Sequence, residues 1–177
     1  YGLVGSEMCI RDSYDIWGKM SNREPSPVFL DAIEYGYRLI DTSSDYQTQV
    51  EIGEAIKKTE VPRDGLYITT KVEETDNAYQ ASQKYIKEMN LEYANLILIH
   101  RPPITGAGID LWKGLIKAKN SGLTCDIGVS NYSTDQIDQL IAETGEVPVV
   151  NQIEWSPFGH SQKMLHKQGT VLCVRLF

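Results

Sequence analysis

A set of polar residues spread along the chain could together move a proton: Asp41, Tyr46, Lys71, His100, the pair Ser130 and Asn131, and Gln152. Reducing a carbonyl with a hydride needs a proton donor that works near neutral pH. A tyrosine, ordinarily titrating near pKa ~10, can serve when nearby cations or a proton relay lower its effective pKa. Lys71 supplies a cation, and Asp41 would hold that lysine in place. His100 can orient the carbonyl oxygen. The amides and hydroxyls of Ser130, Asn131 and Gln152 can fix a nicotinamide carboxamide by hydrogen bonds. Taken singly, each residue also has an ordinary structural reading. Asp41 before Thr42-Ser43-Ser44 suits a turn or cap, Lys71 a solvated strand end, His100 a structural histidine, and Tyr46 a cover for the core. Their joint placement points to chemistry.

That placement follows from the elements between them. Short apolar runs Tyr37–Ile40, Leu66–Thr70, Leu96–Ile99 and Asp126–Val129 end at Asp41, Lys71, His100 and Ser130-Asn131, and a fifth, Val149–Ile153, carries Gln152 and ends near Glu154. Runs of this kind fit strands buried on both faces, as in parallel sheets. The first four end at residues 41, 71, 100 and 130, a period of about 29 to 30 residues. Each gap holds a helical pattern: Val28, Ala32, Ile33 and Tyr35; Val50, Ile52, Ala55 and Ile56; Ala78, Ala81, Tyr85, Ile86 and Met89; Leu111, Leu115, Ile116 and Ala118, closed by Gly122; and Ile137, Leu140 and Ile141, opened by a capping box of Ser133 with Gln136. Strand, helix and strand at this period mean βαβ units and a parallel sheet. The rhythm fits a (β/α)₈ barrel or a doubly wound sheet. In the barrel the strand ends converge on one mouth.

The 177 residues carry a formal net charge of −7, with 41% hydrophobic and 23% charged side chains, an ordinary globular composition. An acidic chain with no basic stripe argues against nucleic acid as the main partner. No apolar run approaches the ~20 residues of a membrane helix. Cys9, Cys125 and Cys173 form an odd, unpaired set, and His100, His160 and His166 have no metal-ligand spacing, so neither a disulfide framework nor a metal site is expected. These features suggest a cytoplasmic α/β protein. The first thirteen residues resemble the translation of a transposase adapter used in sequencing libraries, and are set apart as a non-native leader (1–13) before the folded region (14–177).

Five ordered motifs in the remainder resemble the aldo-keto reductase family. They are Gly36-Tyr37-Arg38-Leu39-Ile40-Asp41-Thr42-Ser43 with Tyr46 and Ile52-Gly53; Ile68-Thr69-Thr70-Lys71; Leu98-Ile99-His100-Arg101-Pro102; Ile127-Gly128-Val129-Ser130-Asn131-Tyr132; and Val150-Asn151-Gln152-Ile153-Glu154. The match runs from about Tyr14 to Lys163. The resemblance implies a (β/α)₈ barrel that reduces an aldehyde or ketone to an alcohol with NADPH, or with NADH as the alternative carrier. It assigns Tyr46 as general acid tuned by Lys71 and Asp41, His100 as substrate orienter, and Ser130, Asn131 and Gln152 as nicotinamide ligands. The other readings are a nucleotide-binding regulatory module of the same fold, or an inactive fragment. The partner implied is a small carbonyl compound.

The chain departs from the family pattern at several points. Gln49 stands where an acidic residue is common. Arg101 stands where many members carry a tryptophan lining the substrate pocket. It favours a polar or anionic substrate, or is a surface arginine beside Pro102-Pro103. Trp17 either lines the pocket mouth or packs against the core. Gly169–Cys173 reads as a seventh strand, without the aromatic expected after it. Eight units of this period need about 232 residues, near the ~250 typical of the barrel, so 177 residues suit an incomplete barrel lacking its first strand and last βα unit.

Overall fold

The computed structural model describes residues 10–11, 25–155 and 174–176. Trp17 and the expected strand Gly169–Cys173 lie outside the described residues. Seven strands run in chain order through one sheet: β1 (Ile10–Arg11), β2 (Leu39–Asp41), β3 (Tyr67–Val72), β4 (Ala94–Ile99), β5 (Thr124–Ser130), β6 (Asn151–Trp155) and β7 (Val174–Leu176). Every neighbouring pair is parallel. Five helices alternate with them: α1 (Pro25–Glu34), α2 (Gln49–Lys58), α3 (Ala78–Glu88), α4 (Ile109–Asn120) and α5 (Thr134–Thr144). Within the adapter-like leader, Ile10 and Arg11 pair with Ile40 and Asp41. An open edge of β2 offers unpaired backbone groups to any extended chain.

The pleat decides which residues face where, since successive side chains alternate across a strand. Ile40, Ile68, Val72, Ile97, Ile99, Ile127 and Val129 join the helix residues Phe29, Ile33, Ile52, Tyr85, Leu115 and Leu140 in one large core. The alternate positions Leu96 and Leu98 pack instead with Val150 in a second, smaller cluster. The helices therefore cover one face, and the other face is an interior of its own.

The sheet must also curl. β2 and β6 are four strand positions apart, about 19 Å on a flat sheet at ~4.8 Å per strand. Yet Gln152 Nε2 donates to Asp41 Oδ2 at 3.0 Å. Consecutive strand order, helices on one face and this closure select the incomplete (β/α)₈ barrel over the doubly wound sheet.

The helices form where the periodicity placed them, and the capping box of Ser133 and Gln136 is present. Three side chains assigned to apolar helix faces are exposed instead: Val28 at 47%, Tyr35 at 86% and Val50 at 56%. On α1 the buried stripe is Phe29 and Ile33, one i,i+4 step, which leaves Val28 turned away. Tyr35 lies past the helix end, and Val50 belongs to the first turn of α2, whose buried face is Gln49, Ile52, Gly53 and Ala55.

The loop after β3 is tied down by one carboxylate. Asp76 Oδ2 accepts from the Glu73 backbone N–H at 2.8 Å and from the Tyr85 hydroxyl at 3.0 Å. Burial pushes the Tyr85 phenol up to about 12, and donation to Asp76 adds to the rise. The neutral phenol is thus favoured on folding. Its contribution is complete below the ordinary tyrosine pKa and is lost as pH rises from about 10 to about 12. In Tyr85→Phe that segment of a stability-versus-pH curve should flatten relative to the parent.

Gly128 faces the interior of the barrel. A Cβ built there would lie 2.7 Å from Val150 O and 2.8 Å from Leu98 Cδ2. Gly128→Ala should cost about 1–3 kcal/mol, the range for overpacking a filled core, read as a lower urea midpoint with unchanged slope.

Candidate active site

The polar residues at the strand ends share the parity of the interior leucines. Register pairs Asp41 with Thr69, Lys71 with Leu98, Leu98 with Gly128, and Ser130 with Gln152. Asp41, Lys71, Ser130 and Gln152 therefore project into one space. Carrying the β3–β4 register two residues beyond Lys71 and Leu98 sets Glu73 beside His100, and the His100 N–H donates to Val72 O at 2.8 Å.

At the centre, Lys71 is fully buried and its ammonium donates to Asp41 Oδ1 and, at 3.1 Å, to Thr42 O. Gln152 Nε2 covers the other Asp41 oxygen. Such a pair survives burial because each charge keeps several partners. Tyr46 is half-buried on the single-turn 3₁₀ helix Ser44–Tyr46. Ser43 Oγ caps that turn by accepting from Asp45 N–H at 3.1 Å, and Gln47, at φ 56°, closes it. Lys71 Nζ lies 5.2 Å from the centroid of the Tyr46 ring. The His100 ring meets Tyr46 edge to face at 5.8 Å between centroids. The four residues expected to handle the proton are thus gathered in one cluster.

Two participants escaped the reading of the sequence. Glu73 places both carboxylate oxygens on His100 Nδ1, at 2.9 and 3.0 Å. Ser43 Oγ donates to Glu73 at 2.9 Å and lies 3.3 Å from the same nitrogen. Burial alone would raise the Glu73 pKa. The His100 hydrogen bond and charge, with bonds from Ser43 and Ser44, outweigh it and hold the carboxyl below its usual range. The signal was available: Glu73 stands two residues beyond Lys71, on the same face. Asp45, 3.9 Å from His100 Nδ1, also meets Arg101 Nη2 at 3.5 Å, and both side chains are about half exposed. Asp45, Glu73, His100 and Arg101 thus form an ion-pair network at the rim.

The expected nicotinamide ligands lie on the next two strands. Ser130 Oγ donates to Gln152 O at 2.8 Å. Asn131, in a left-handed backbone conformation at φ 63°, donates through Nδ2 to His100 O at 3.0 Å and to Ser130 Oγ at 3.1 Å. Gln152 Oε1 is buried with no hydrogen-bond partner among the described residues. A buried acceptor left open is costly unless a ligand supplies the donor. The carboxamide NH₂ of a nicotinamide is such a donor, so this residue fits the group. Gln49, in place of the usual acidic residue, donates to Thr70 Oγ1 at 3.4 Å. Among the described residues no helix is long and apolar enough to cross a membrane.

Comparison with known proteins gives the family and the fold. The family model described as "Aldo/keto reductase family" matches residues 12–171. The chain is 40% identical over 154 residues to the methylglyoxal reductase DkgA of Salmonella typhimurium, covering 85% of this chain and 55% of that protein. It is 41% identical over 145 residues to an aldo-keto reductase of Mycolicibacterium vanbaalenii, covering 79% and 52%. The chain spans about half the length of the curated relatives it matches. Among solved structures, the Bombyx mori aldo-keto reductase in complex with NADP superposes with a TM-score of 0.76 at 31% identity, over 89% of this chain and 58% of that one. By sequence and fold, this chain belongs to the aldo/keto reductase family.

Proposed function

We propose that the protein reduces a small aldehyde or ketone to an alcohol with a nicotinamide cofactor, NADP being named with the Bombyx mori structure and NADPH with another related aldo-keto reductase structure. The buried Lys71–Asp41 pair beneath the Tyr46 ring carries this reading. A cation kept dry 5.2 Å from the ring centroid stabilises the negative charge that develops as the hydroxyl hands over its proton. Tyr46 is the general acid. Asp41 fixes the ammonium, and His100 orients the carbonyl oxygen. The bound cofactor supplies the hydride. Gln152 would accept from its carboxamide, with Ser130 and Asn131 as the neighbouring ligands. Trp17 is carried as a pocket residue by the family resemblance alone. Arg101 belongs to the rim, where Asp45 already shares its charge, which supports a polar substrate more than a free anion.

Two measurements test this. In the full-length protein, Tyr46→Phe should lower the rate of NADPH-dependent aldehyde reduction by about 10²–10⁴-fold, the usual contribution of a positioned acid, with cofactor affinity retained. Unchanged turnover would remove Tyr46 from the mechanism. Gln152→Leu should weaken binding of the reduced cofactor, followed by fluorescence titration, since it deletes the open acceptor. Equal affinity would remove Gln152 from the cofactor site.

A further inference from the structure

The contact between Glu73 and His100 has a chemical consequence for the reaction. An ionised carboxylate only accepts hydrogen bonds, and two Glu73 oxygens lie at 2.9 and 3.0 Å from His100 Nδ1. Nδ1 must therefore carry a proton. The neutral ring then leaves Nε2 bare, an acceptor, and only the imidazolium has an N–H at that position. A carbonyl oxygen needs a donor, whereas an alcohol hydroxyl can donate to a bare nitrogen.

We propose that Glu73 is a positioning residue that locks His100 in its Nδ1–H form. In that form the neutral ring offers Nε2 as an acceptor and not as a donor. The inference rests on the carbonyl-reduction reading above. Several groups hold Glu73 to this task. Ser43 and Ser44 donate to Oε1 at 2.9 and 3.2 Å, and Asp76 anchors its backbone N–H. The groups facing His100 are Glu73, Ser43, Asp45 with its partner Arg101, the Tyr46 ring, and Asn131, which donates to the His100 backbone. Lys71, paired with Asp41, stands behind the tyrosine.

The test uses ¹⁵N-histidine-labelled full-length protein and long-range proton–nitrogen correlation spectra, with His100 assigned by the loss of its signals in His100→Gln. At alkaline pH, where the ring is neutral, His100 should show a protonated Nδ1 and a bare Nε2. Glu73→Ala should shift it to the Nε2–H form that an unconstrained imidazole favours, while Glu73→Asp keeps Nδ1–H. An Nε2–H tautomer in the parent protein would overturn the proposal, as would an unaltered Nδ1–H form in folded Glu73→Ala. The tautomer is read without turnover. Full activity in Tyr46→Phe alongside the Nδ1–H form would thus sink the reduction mechanism and leave the tautomer assignment standing.

Discussion

The site depends on keeping an ammonium dry. Lys71 is fully buried, and a lone charge in that position would be too costly to retain. Asp41 neutralises it, Thr42 O takes a second ammonium proton, and Gln152 takes the remaining carboxylate oxygen. These partners come from β2, the loop after it, and β6. The pair thus exists only if the sheet curls far enough to bring the second and sixth strands together. The charge and the barrel curvature are one constraint, and the surroundings of Tyr46 follow from it.

Around that pair the chain builds an asymmetry. Lys71, with its counter-ion, lies 5.2 Å from the centroid of the Tyr46 ring. His100 meets the same ring edge to face, and its Nδ1 lies 2.9 and 3.0 Å from the two Glu73 oxygens. The rim adds Asp45 and Arg101, which are half exposed, so solvent screens them and their interaction carries little energy of its own. Their part is in the polarity of the entrance.

Much of this was legible in the amino-acid order. The 29- to 30-residue period marked the strands and helices, because both-face-buried strands read as continuous apolar runs. Asp41, Lys71, His100 and Ser130 were found because each ends such a run, and Gln152 because a fifth run carries it. Glu73 was passed over because it lies in the loop beyond β3, where a glutamate usually meets solvent. Only the register of β3 against β4 sets it opposite His100. Val28, Tyr35 and Val50 were misplaced for a related reason: an apolar residue within a helical pattern is not buried unless its angle on the helix matches the sheet beneath.

The sequence by itself determined the repeating unit, the polar residue at each strand end, and membership of the aldo/keto reductase family through its motifs. Those are local properties, set by side-chain period and by residues a few positions apart. Only the tertiary structure decided that the sheet curls into a barrel rather than opening flat, that Gln152 reaches Asp41, and that Glu73 meets His100 Nδ1. Each of these joins residues 27 to 111 positions apart. Strand register and curvature bring them together, and neither can be read from any single segment.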